Sequence, residues 1–436
     1  MFPRASGAFD LVILMNQHRI FWVVLGFSLI GSNVYAEGGI KLTSEARMHP
    51  LMQAGFAFDS NPHRSSDASN AVSDAFMLIQ GGLEFTLPSD RLDIRMNNTI
   101  NYHHYLGLES DPLTTGSTAG LSTVKGGSAI QLLGNRKGKF RWGLAGRLNR
   151  MDEPEPLNMG VRQGRWSSSF DGFTEWRPGG GALGLKPAVG LAVDSYDESG
   201  GEGANKLDKS APTVRLDLDW RFLPRTQFVI NNHWTTATYA NDPEANGYAD
   251  PVSSEVGVMG QVSPRLSAIV AVGYSGSQFL LSDKGETTHT VSGQAEIRYD
   301  ERRKVTWRLG VRRRLLPVTV FGFMADNSAY ARYSEKFLGG LRVVTQLKGS
   351  LRTFGEQTSA RDVISIASGD ARADITAGFD ANILWQPQRW WVAGLTNRFE
   401  YFTTNSQFKS AGTAGDTFVD PGFGRNLTML VFEAKY

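Results

Sequence analysis

Residues 211–239, APTVRLDLDWRFLPRTQFVINNHWTTATY, contain the pattern that decides the fold. Apolar side chains from Val214 to Phe222 alternate with polar side chains from Arg215 to Arg221, which is the period-two pattern of a β-strand. A tight turn follows at 224–225, and the next predicted strand begins directly after it. The stretch therefore predicts a β-hairpin whose strands have one apolar and one polar face.

The same strand periodicity recurs along most of the chain. Apolar and polar side chains alternate over segments of about 10 residues, which is the length of a membrane-spanning β-strand. Counting these segments predicts about 18 strands, within about two. We place them near residues 50–59, 73–87, 91–106, 120–133, 139–150, 161–177, 182–194, 211–223, 226–239, 253–262, 265–280, 288–299, 304–316, 328–347, 350–355, 369–386, 389–404 and 424–436.

Short and long connections alternate strictly between these strands. The short turns lie at 88–90, 134–138, 178–181, 224–225, 263–264, 300–303, 348–349 and 387–388. The long connections, rich in Gly, Ser, Asp, Asn and Thr, cover about 60–71, 107–119, 151–160, 195–209, 240–252, 281–287, 317–327, 355–368 and 405–423. A soluble sandwich with Greek-key connections has no reason to keep this order. We therefore expect an all-β, antiparallel up-and-down transmembrane barrel with short periplasmic turns, long extracellular loops and a polar lumen.

Aromatic residues support the same architecture. Seven tryptophans lie within a few residues of a short turn, as expected for an aromatic girdle at one membrane interface. They are Trp142, Trp176, Trp220, Trp307, Trp385, Trp390 and Trp391. The last predicted strand places Leu430, Phe432 and Tyr436 on one face and ends the sequence on an aromatic residue. Such a strand resembles the signal read by the barrel assembly machinery, and it must pair with the first strand to leave no open edge in lipid.

Composition excludes several other classes. Mean hydropathy is slightly negative (−0.26), which excludes a helical membrane protein. The 436 residues include no cysteine, which excludes disulfide scaffolds, cysteine zinc sites and thiol nucleophiles. Net charge is +2, with acids and bases spread along the chain, so no nucleic-acid partner is expected.

The N-terminus predicts export. Arg19 precedes an apolar run from Ile20 to Ile30, and Val34-Tyr35-Ala36 has the small-x-small pattern of a cleavage site. We assign residues 1–36 to an N-terminal extension plus secretory signal peptide and residues 37–436 to the barrel, with Met1 or Met15 as the start. An N-terminal membrane anchor is the alternative. The expected location is the outer membrane of a Gram-negative bacterium, with outer-membrane lipids as partners.

A short motif starts at Gly55 and reads Gly-Phe-Ala-Phe-Asp-Ser-Asn-Pro. It resembles the opening hairpin of a family of outer-membrane β-barrel porins that accompany exopolysaccharide gene clusters. The resemblance implies a channel that exports a secreted polysaccharide, with a periplasmic polysaccharide export or co-polymerase protein as partner. Asp59 and Asn61 also suit a turn, in which their side chains cap backbone amides.

The polar strand faces supply candidate lumen-lining residues. They are Arg95, Arg141, Arg147, Arg215, Asp217, Asp219, Arg221, Glu296, Arg298, Arg308 and Arg312. These charges could form cross-strand salt bridges that stiffen the wall, or a basic lining that attracts anionic solutes or acidic sugars. Alternation places Arg313 on the lipid side, where its side chain can reach a membrane interface.

Enzyme motifs are absent from the sequence. No Gly-x-Ser-x-Gly elbow or His-Glu-x-x-His motif is present, and we predict no catalytic residue, metal or cofactor. The adjacent pair His103 and His104 should face opposite sides of a strand. Besides polysaccharide export, a general or anion-preferring diffusion porin, a closed structural or adhesive barrel, and an outer-membrane hydrolase remain open.

Overall fold

The computed structural model of the protein is a closed antiparallel β-barrel. It describes residues 39–62, 73–107, 123–151, 164–196, 208–236, 238–239, 251–277, 288–301, 304–318, 322–354, 372–405, 408–409, 418–419 and 422–435. In this part of the chain, no helix is long and apolar enough to cross a membrane. The predicted signal peptide lies outside the described residues.

Eighteen strands form the wall, as the alternation of the sequence predicts. They are β1 (Arg47–Asp59), β2 (Asp74–Leu87), β3 (Leu92–Tyr105), β4 (Thr123–Gly134), β5 (Phe140–Met151), β6 (Arg165–Trp176), β7 (Leu183–Tyr196), β8 (Lys209–Leu223), β9 (Thr226–Thr235), β10 (Pro251–Ser263), β11 (Leu266–Ser277), β12 (Thr288–Glu301), β13 (Val305–Val318), β14 (Gly322–Lys336), β15 (Leu341–Phe354), β16 (Ala373–Gln388), β17 (Trp391–Thr404) and β18 (Phe423–Lys435). Three two-residue pairings lie at strand ends or in connections: Ile40–Lys41 with the start of β1, Thr238–Tyr239 with the start of β8, and Phe408–Lys409 with Phe418–Val419.

Each strand pairs with the strands before and after it, and the last strand returns to the first. The β18–β1 ladder runs from Lys435 opposite Leu51 to Leu427 opposite Asp59. This closure satisfies the backbone groups of both terminal strands, which would otherwise form two open edges in lipid. Both ends of the barrel sequence lie at the short-turn end, which is the periplasmic end of such barrels. The predicted fold class is confirmed.

The two faces of the wall have opposite character. On the outer face, Ile100 exposes 67% of its surface and Val270 exposes 59%. Ala271 follows Val270 in sequence but faces the lumen and is buried. An apolar outer face on a closed barrel is stable only against hydrocarbon, because water would penalise that surface. The protein is therefore a multi-pass barrel of the outer membrane.

One predicted turn is wrong. Lys348 and Gly349 lie in the middle of β15, and the turn between β14 and β15 is formed by residues 337–340. Gly339 and Gly340 have φ values of 74° and 80°, a region that favours glycine. The predicted strands 328–347 and 350–355 are thus corrected to 322–336 and 341–354. The predicted long connection at 317–327 is largely strand, since β13 and β14 remain paired up to Val318 and Gly322.

Candidate functional site

The lumen wall contains most of the charged residues singled out from the sequence. Ten of the predicted lumen residues alternate with outward-facing neighbours on their strands and point into the barrel: Arg95, Arg141, Arg147, Arg215, Asp217, Asp219, Glu296, Arg298, Arg308 and Arg312. Arg221 is exposed at the short-turn end of β8, next to a bulge in its pairing with β9. Their role in transport stays a prediction.

Near the short-turn end, a network centred on carboxylates joins β5, β6 and β8. Arg141 donates to Glu175 at 2.6 Å, and Arg177 donates to Glu175 and, through two nitrogens, to Asp219 at 2.8 and 3.0 Å. Burial disfavours the charge on Arg177, but hydrogen bonds and attraction from Asp219 and Glu175 raise its pKa above the ordinary value. Arg177 lies in the turn after β6 and was not predicted.

Two further carboxylates in the same half of the barrel also have arginine partners. Arg215 donates to Asp171 at 2.7 Å across β7. Asp93 is buried and accepts hydrogen bonds from Arg95 at 3.1 Å and from Arg136 at 3.2 Å. Of these contacts, Arg215–Asp171 joins two strands, whereas Asp93 binds one arginine of its own strand and one arginine of the β4–β5 turn.

On β13 to β17, single carboxylates each hold two cations. The contacts are Arg314–Asp326 at 3.2 Å, Arg352–Asp326 at 3.4 Å, Lys348–Asp380 at 3.3 Å and Arg398–Asp380 at 2.8 Å. In both clusters two positive charges surround one negative charge, so this arc of the lumen keeps a net positive charge.

Almost fully buried ion pairs among the described residues include Lys209–Asp194 at 3.1 Å, Arg372–Asp374 and Arg425–Asp59. Arg372 donates to both oxygens of Asp374 at 2.8 and 2.6 Å, and neither side chain is exposed. Arg425 donates through Nε to both oxygens of Asp59 at 3.0 Å, which links β18 to β1 at the closing seam. The Asp59 carboxylate also accepts the backbone N–H of Asn61 at 3.1 Å. The predicted capping role of Asp59 is confirmed, but its pairing with Arg425 was not foreseen.

A row of arginines crosses β12, β13 and β14. Arg298 lies directly opposite Arg308, and Arg308 lies directly opposite Arg332. Asp300 binds Arg298 at 2.8 Å, whereas Arg308 and Arg332 have no carboxylate within salt-bridge distance among the described residues. Like charges directly opposite each other destabilise a sheet. We call these three residues the arginine row.

Arg313 faces outward, as alternation predicts. Its guanidinium donates to Thr290 Oγ1 at 2.8 Å, to the carbonyl of Val291 at 3.1 Å and to Asn327 at 2.7 Å. These polar groups lie above the apolar positions Leu309 and Val311 of β13, toward the loop end. The charge is therefore hydrogen-bonded at the upper edge of the apolar outer face.

The aromatic residues of the predicted girdle lie at the short-turn end. Trp176, Trp220, Trp307 and Trp385 face outward and are about half exposed, Trp142 and Trp391 occupy outward positions, and Trp390 lies in the turn before β17. In the predicted assembly signal, Leu430 and Phe432 face outward, and Tyr436 lies outside the described residues. Their roles in the membrane and in assembly stay predictions.

The two histidines on β3 face opposite sides, as predicted. His103 stacks on Phe76 inside the barrel, with ring centroids 5.1 Å apart, and His104 stacks on Tyr102 outside at 6.0 Å. Within the residues that the structure describes, no three His, Asp or Glu side chains are close enough to hold a metal ion.

The short and the long connections differ in charge, although acids and bases are spread along the whole chain. The described residues of the eight short connections include nine cations and one carboxylate, Asp90. The cations are Arg91, Arg136, Lys137, Lys139, Arg177, Arg225, Arg265, Lys304 and Arg389. In the sequence, the long connections contain twenty Asp or Glu and seven Lys or Arg, counted over 60–73, 106–122, 152–164, 197–208, 236–250, 278–287, 319–321, 355–372 and 405–422.

No protein-family model matches the sequence, and no curated protein is similar enough to match. Among solved structures, a BenF-like porin from Pseudomonas fluorescens Pf-5 is 11% identical, covering 91% of this chain and 100% of that chain at a TM-score of 0.48. OccAB4 from Acinetobacter baumannii is 10% identical, with 91% and 99% coverage and a TM-score of 0.48. OccK1 (OpdK) from Pseudomonas aeruginosa is 10% identical, with 90% and 99% coverage and a TM-score of 0.46. What this chain has in common with them is the barrel fold.

Proposed function

We propose that the protein is a passive, non-enzymatic channel of the outer membrane that prefers anionic solutes. The arginine row is the observation that carries this proposal. A barrel of 18 strands encloses an interior wide enough for polar solutes. The net positive charge on β12 to β17 would attract anions into this interior and repel cations.

The arginine row is difficult to explain by stability alone. Elsewhere in the lumen, Arg141 and Arg215 lie beside carboxylates that compensate their charge. Arg308 and Arg332 instead face each other across adjacent strands. A contact that breaks a local rule of sheet stability is expected where function requires it. Guanidinium groups in this position could bind carboxylate or phosphate groups of a passing solute in bidentate fashion.

Neutralising the row should reduce anion selectivity. We expect the double variant R308Q/R332Q to lower the chloride-to-potassium permeability ratio by at least about fivefold, since even one unit charge at about 4 Å in water contributes about 1 kcal/mol. The measurement is the reversal potential of single channels in a salt gradient.

Arg313 provides a matched control, because it lies on the same strand but faces outward. R313Q should leave the reversal potential unchanged. An equal change in both variants, or a wild-type channel that prefers cations, would refute anion selection by the arginine row.

For the cargo, we propose an acidic secreted polysaccharide that leaves the cell through this channel. The resemblance of the opening hairpin to exopolysaccharide-associated porins supports this cargo, and so does the basic lumen, because acidic sugars carry carboxylates. A periplasmic polysaccharide export or co-polymerase protein would deliver the polymer. Outer-membrane lipids and the barrel assembly machinery are the other proposed partners.

Deleting the gene should abolish surface polysaccharide while leaving its synthesis intact. The expected result is loss of extracellular acidic polymer and its accumulation in the periplasm, measured by uronic-acid assay of both fractions. Complementation with the wild-type gene is the control. Normal surface polymer in the deletion strain would eliminate the export hypothesis and leave a general diffusion porin as the alternative.

A closed structural or adhesive barrel is the remaining non-enzymatic alternative. It predicts no ion conductance in planar bilayers, whereas the channel proposal predicts stable single-channel steps. The same recording that measures selectivity therefore distinguishes the two.

A further inference from the structure

We propose that four successive periplasmic turns form the capture surface for an anionic polymer, so that cargo enters this barrel from the periplasmic side. The inference rests on the proposed anion channel and adds an entry site to it. The residues are Arg225, Arg265, Lys304 and Lys336, which we call the basic arc.

The basic arc follows consecutive hairpins. Arg225 lies in the β8–β9 turn, Arg265 in the β10–β11 turn, Lys304 before β13, and Lys336 at the end of β14. All four side chains are exposed, and none has a carboxylate within salt-bridge distance in the part of the chain that the structure describes. Lys336 and Lys304 are neighbours, since the backbone N–H of Lys336 donates to the carbonyl of Lys304 at 2.9 Å.

The arc leads directly into the arginine row. Arg308 follows Lys304 by four residues on β13, and Arg332 precedes Lys336 by four residues on β14. Four residues of a β-strand span about 13 Å. Lys336 also lies opposite Arg342, which faces the lumen one strand further on. Asp300 lies opposite Thr306 between these positions and is paired with Arg298, so the net charge on this side of the barrel stays positive from the periplasmic mouth to the interior.

The geometry of other short turns favours a role at the pore mouth. The guanidinium of Arg136 reaches the lumen-facing Asp93 at 3.2 Å, and that of Arg177 reaches the lumen-facing Asp219 at 2.8 Å. Cations of these turns therefore point toward the pore axis. A ring of cations that served only lipid headgroups would point outward, as the Arg313 side chain does on the outer wall.

The sequence of the long connections has the opposite charge. The excess of acidic residues in the sequence of the long connections would repel an anionic polymer that approaches from outside. Attraction at the periplasmic mouth raises the rate at which the polymer enters from that side, and repulsion by the long connections lowers the rate of entry from outside, while net outward movement follows the concentration gradient of the polymer. Screening limits both effects to about 8 Å at physiological salt, so the polymer must reach the mouth before it is captured.

The test compares block of the channel by polygalacturonate added to either side of a zwitterionic planar bilayer. We expect the association rate of block from the short-turn side to exceed that from the loop side by about tenfold or more at low salt. In the variant R225Q/R265Q/K304Q, this asymmetry should fall to below about twofold. The chain has no cysteine, so Ala182→Cys in the β6–β7 turn and an impermeant thiol reagent identify the periplasmic side of each inserted channel.

Charge, rather than side-chain shape, should determine the asymmetry. The variant R225K/R265K retains all the positive charges. Polygalacturonate should therefore block it with the same asymmetry between the two sides as in the wild type. Equal block from both sides of the wild type, or block in the triple variant as asymmetric as in the wild type, would overturn the proposal. If R225K/R265K lost the asymmetry of block, as the triple glutamine variant is expected to, the capture surface would not depend on charge and the proposal would be contradicted.

A role in binding lipid headgroups gives a different result. It predicts that the triple variant inserts less well into bilayers containing phosphatidylglycerol, while polygalacturonate block stays unchanged. That outcome would refute the capture surface. The proposed anion channel is tested by a different measurement, the reversal potential of R308Q/R332Q. A failure of the capture surface and a failure of the proposed function can therefore be distinguished.

Discussion

Asp59→Ala is expected to lower the free energy of unfolding of the barrel by about 3 kcal/mol, because it leaves a buried guanidinium without its main partner. The carboxylate of Asp59 is fully buried and accepts hydrogen bonds from Arg425 through both oxygens. Glu400 lies 3.8 Å from Arg425 and offsets part of the loss, which places the effect at the lower end of the range of about 3–5 kcal/mol for broken buried pairs.

The position of this pair increases its importance. Asp59 ends β1 and Arg425 lies on β18, so the contact fastens the two strands that close the barrel. Asp59 also caps the backbone of the connection that follows, through the N–H of Asn61. The variant therefore weakens both the pairing of β1 with β18 and the backbone that follows β1.

Heat-modifiable gel migration and urea unfolding in detergent measure the effect. Asp90→Ala is the matched control, because Asp90 in the β2–β3 turn pairs with Lys137 in the β4–β5 turn, and both side chains are more than half exposed. Exposed pairs contribute about 0–1 kcal/mol. Similar shifts in the two variants would show that the buried pair does not stabilise the closing seam.

Strand number and barrel class could be predicted from local sequence, because the period of a strand and the chemistry of a turn are local properties. The failure at β14 and β15 has a local cause as well. The true turn begins with Phe337 and Leu338, which are apolar and exposed, and continues with two glycines. A prediction that expects polar residues in turns therefore misses it. Lys348-Gly349 looked like a turn, yet Lys348 faces Asp380 inside the lumen.

The arrangement of charges in the lumen could be predicted only in part. Alternation correctly places Arg298 and Arg308 on one face, but it does not show that they lie opposite each other. That depends on the register between strands, which the turns and bulges set together. The Asp59–Arg425 pair could not be predicted from the sequence, because the two residues are 366 positions apart and meet only when the barrel closes.

A charge on the outer wall should be far more costly than the same charge in the lumen. We expect Leu347→Arg to lower the free energy of unfolding by about 2–4 kcal/mol, the cost of arginine at the middle of the lipid face of a barrel. Leu347 lies midway along β15, faces outward and exposes 59% of its surface. The guanidinium of an arginine at position 347 would be held in hydrocarbon, where no water or acid compensates the charge.

Gln346→Arg is the matched control, one residue earlier on the same strand. Gln346 faces the lumen directly opposite Asp380 on β16 and Arg332 on β14, so an arginine there meets one carboxylate and one like charge rather than lipid. We expect a change within about 1 kcal/mol, as for other partly solvated ion pairs. Urea unfolding in lipid vesicles measures both variants side by side. A soluble sandwich would tolerate arginine at the exposed position 347 and reject it at 346, so the order of the two effects tests which face of the wall contacts lipid.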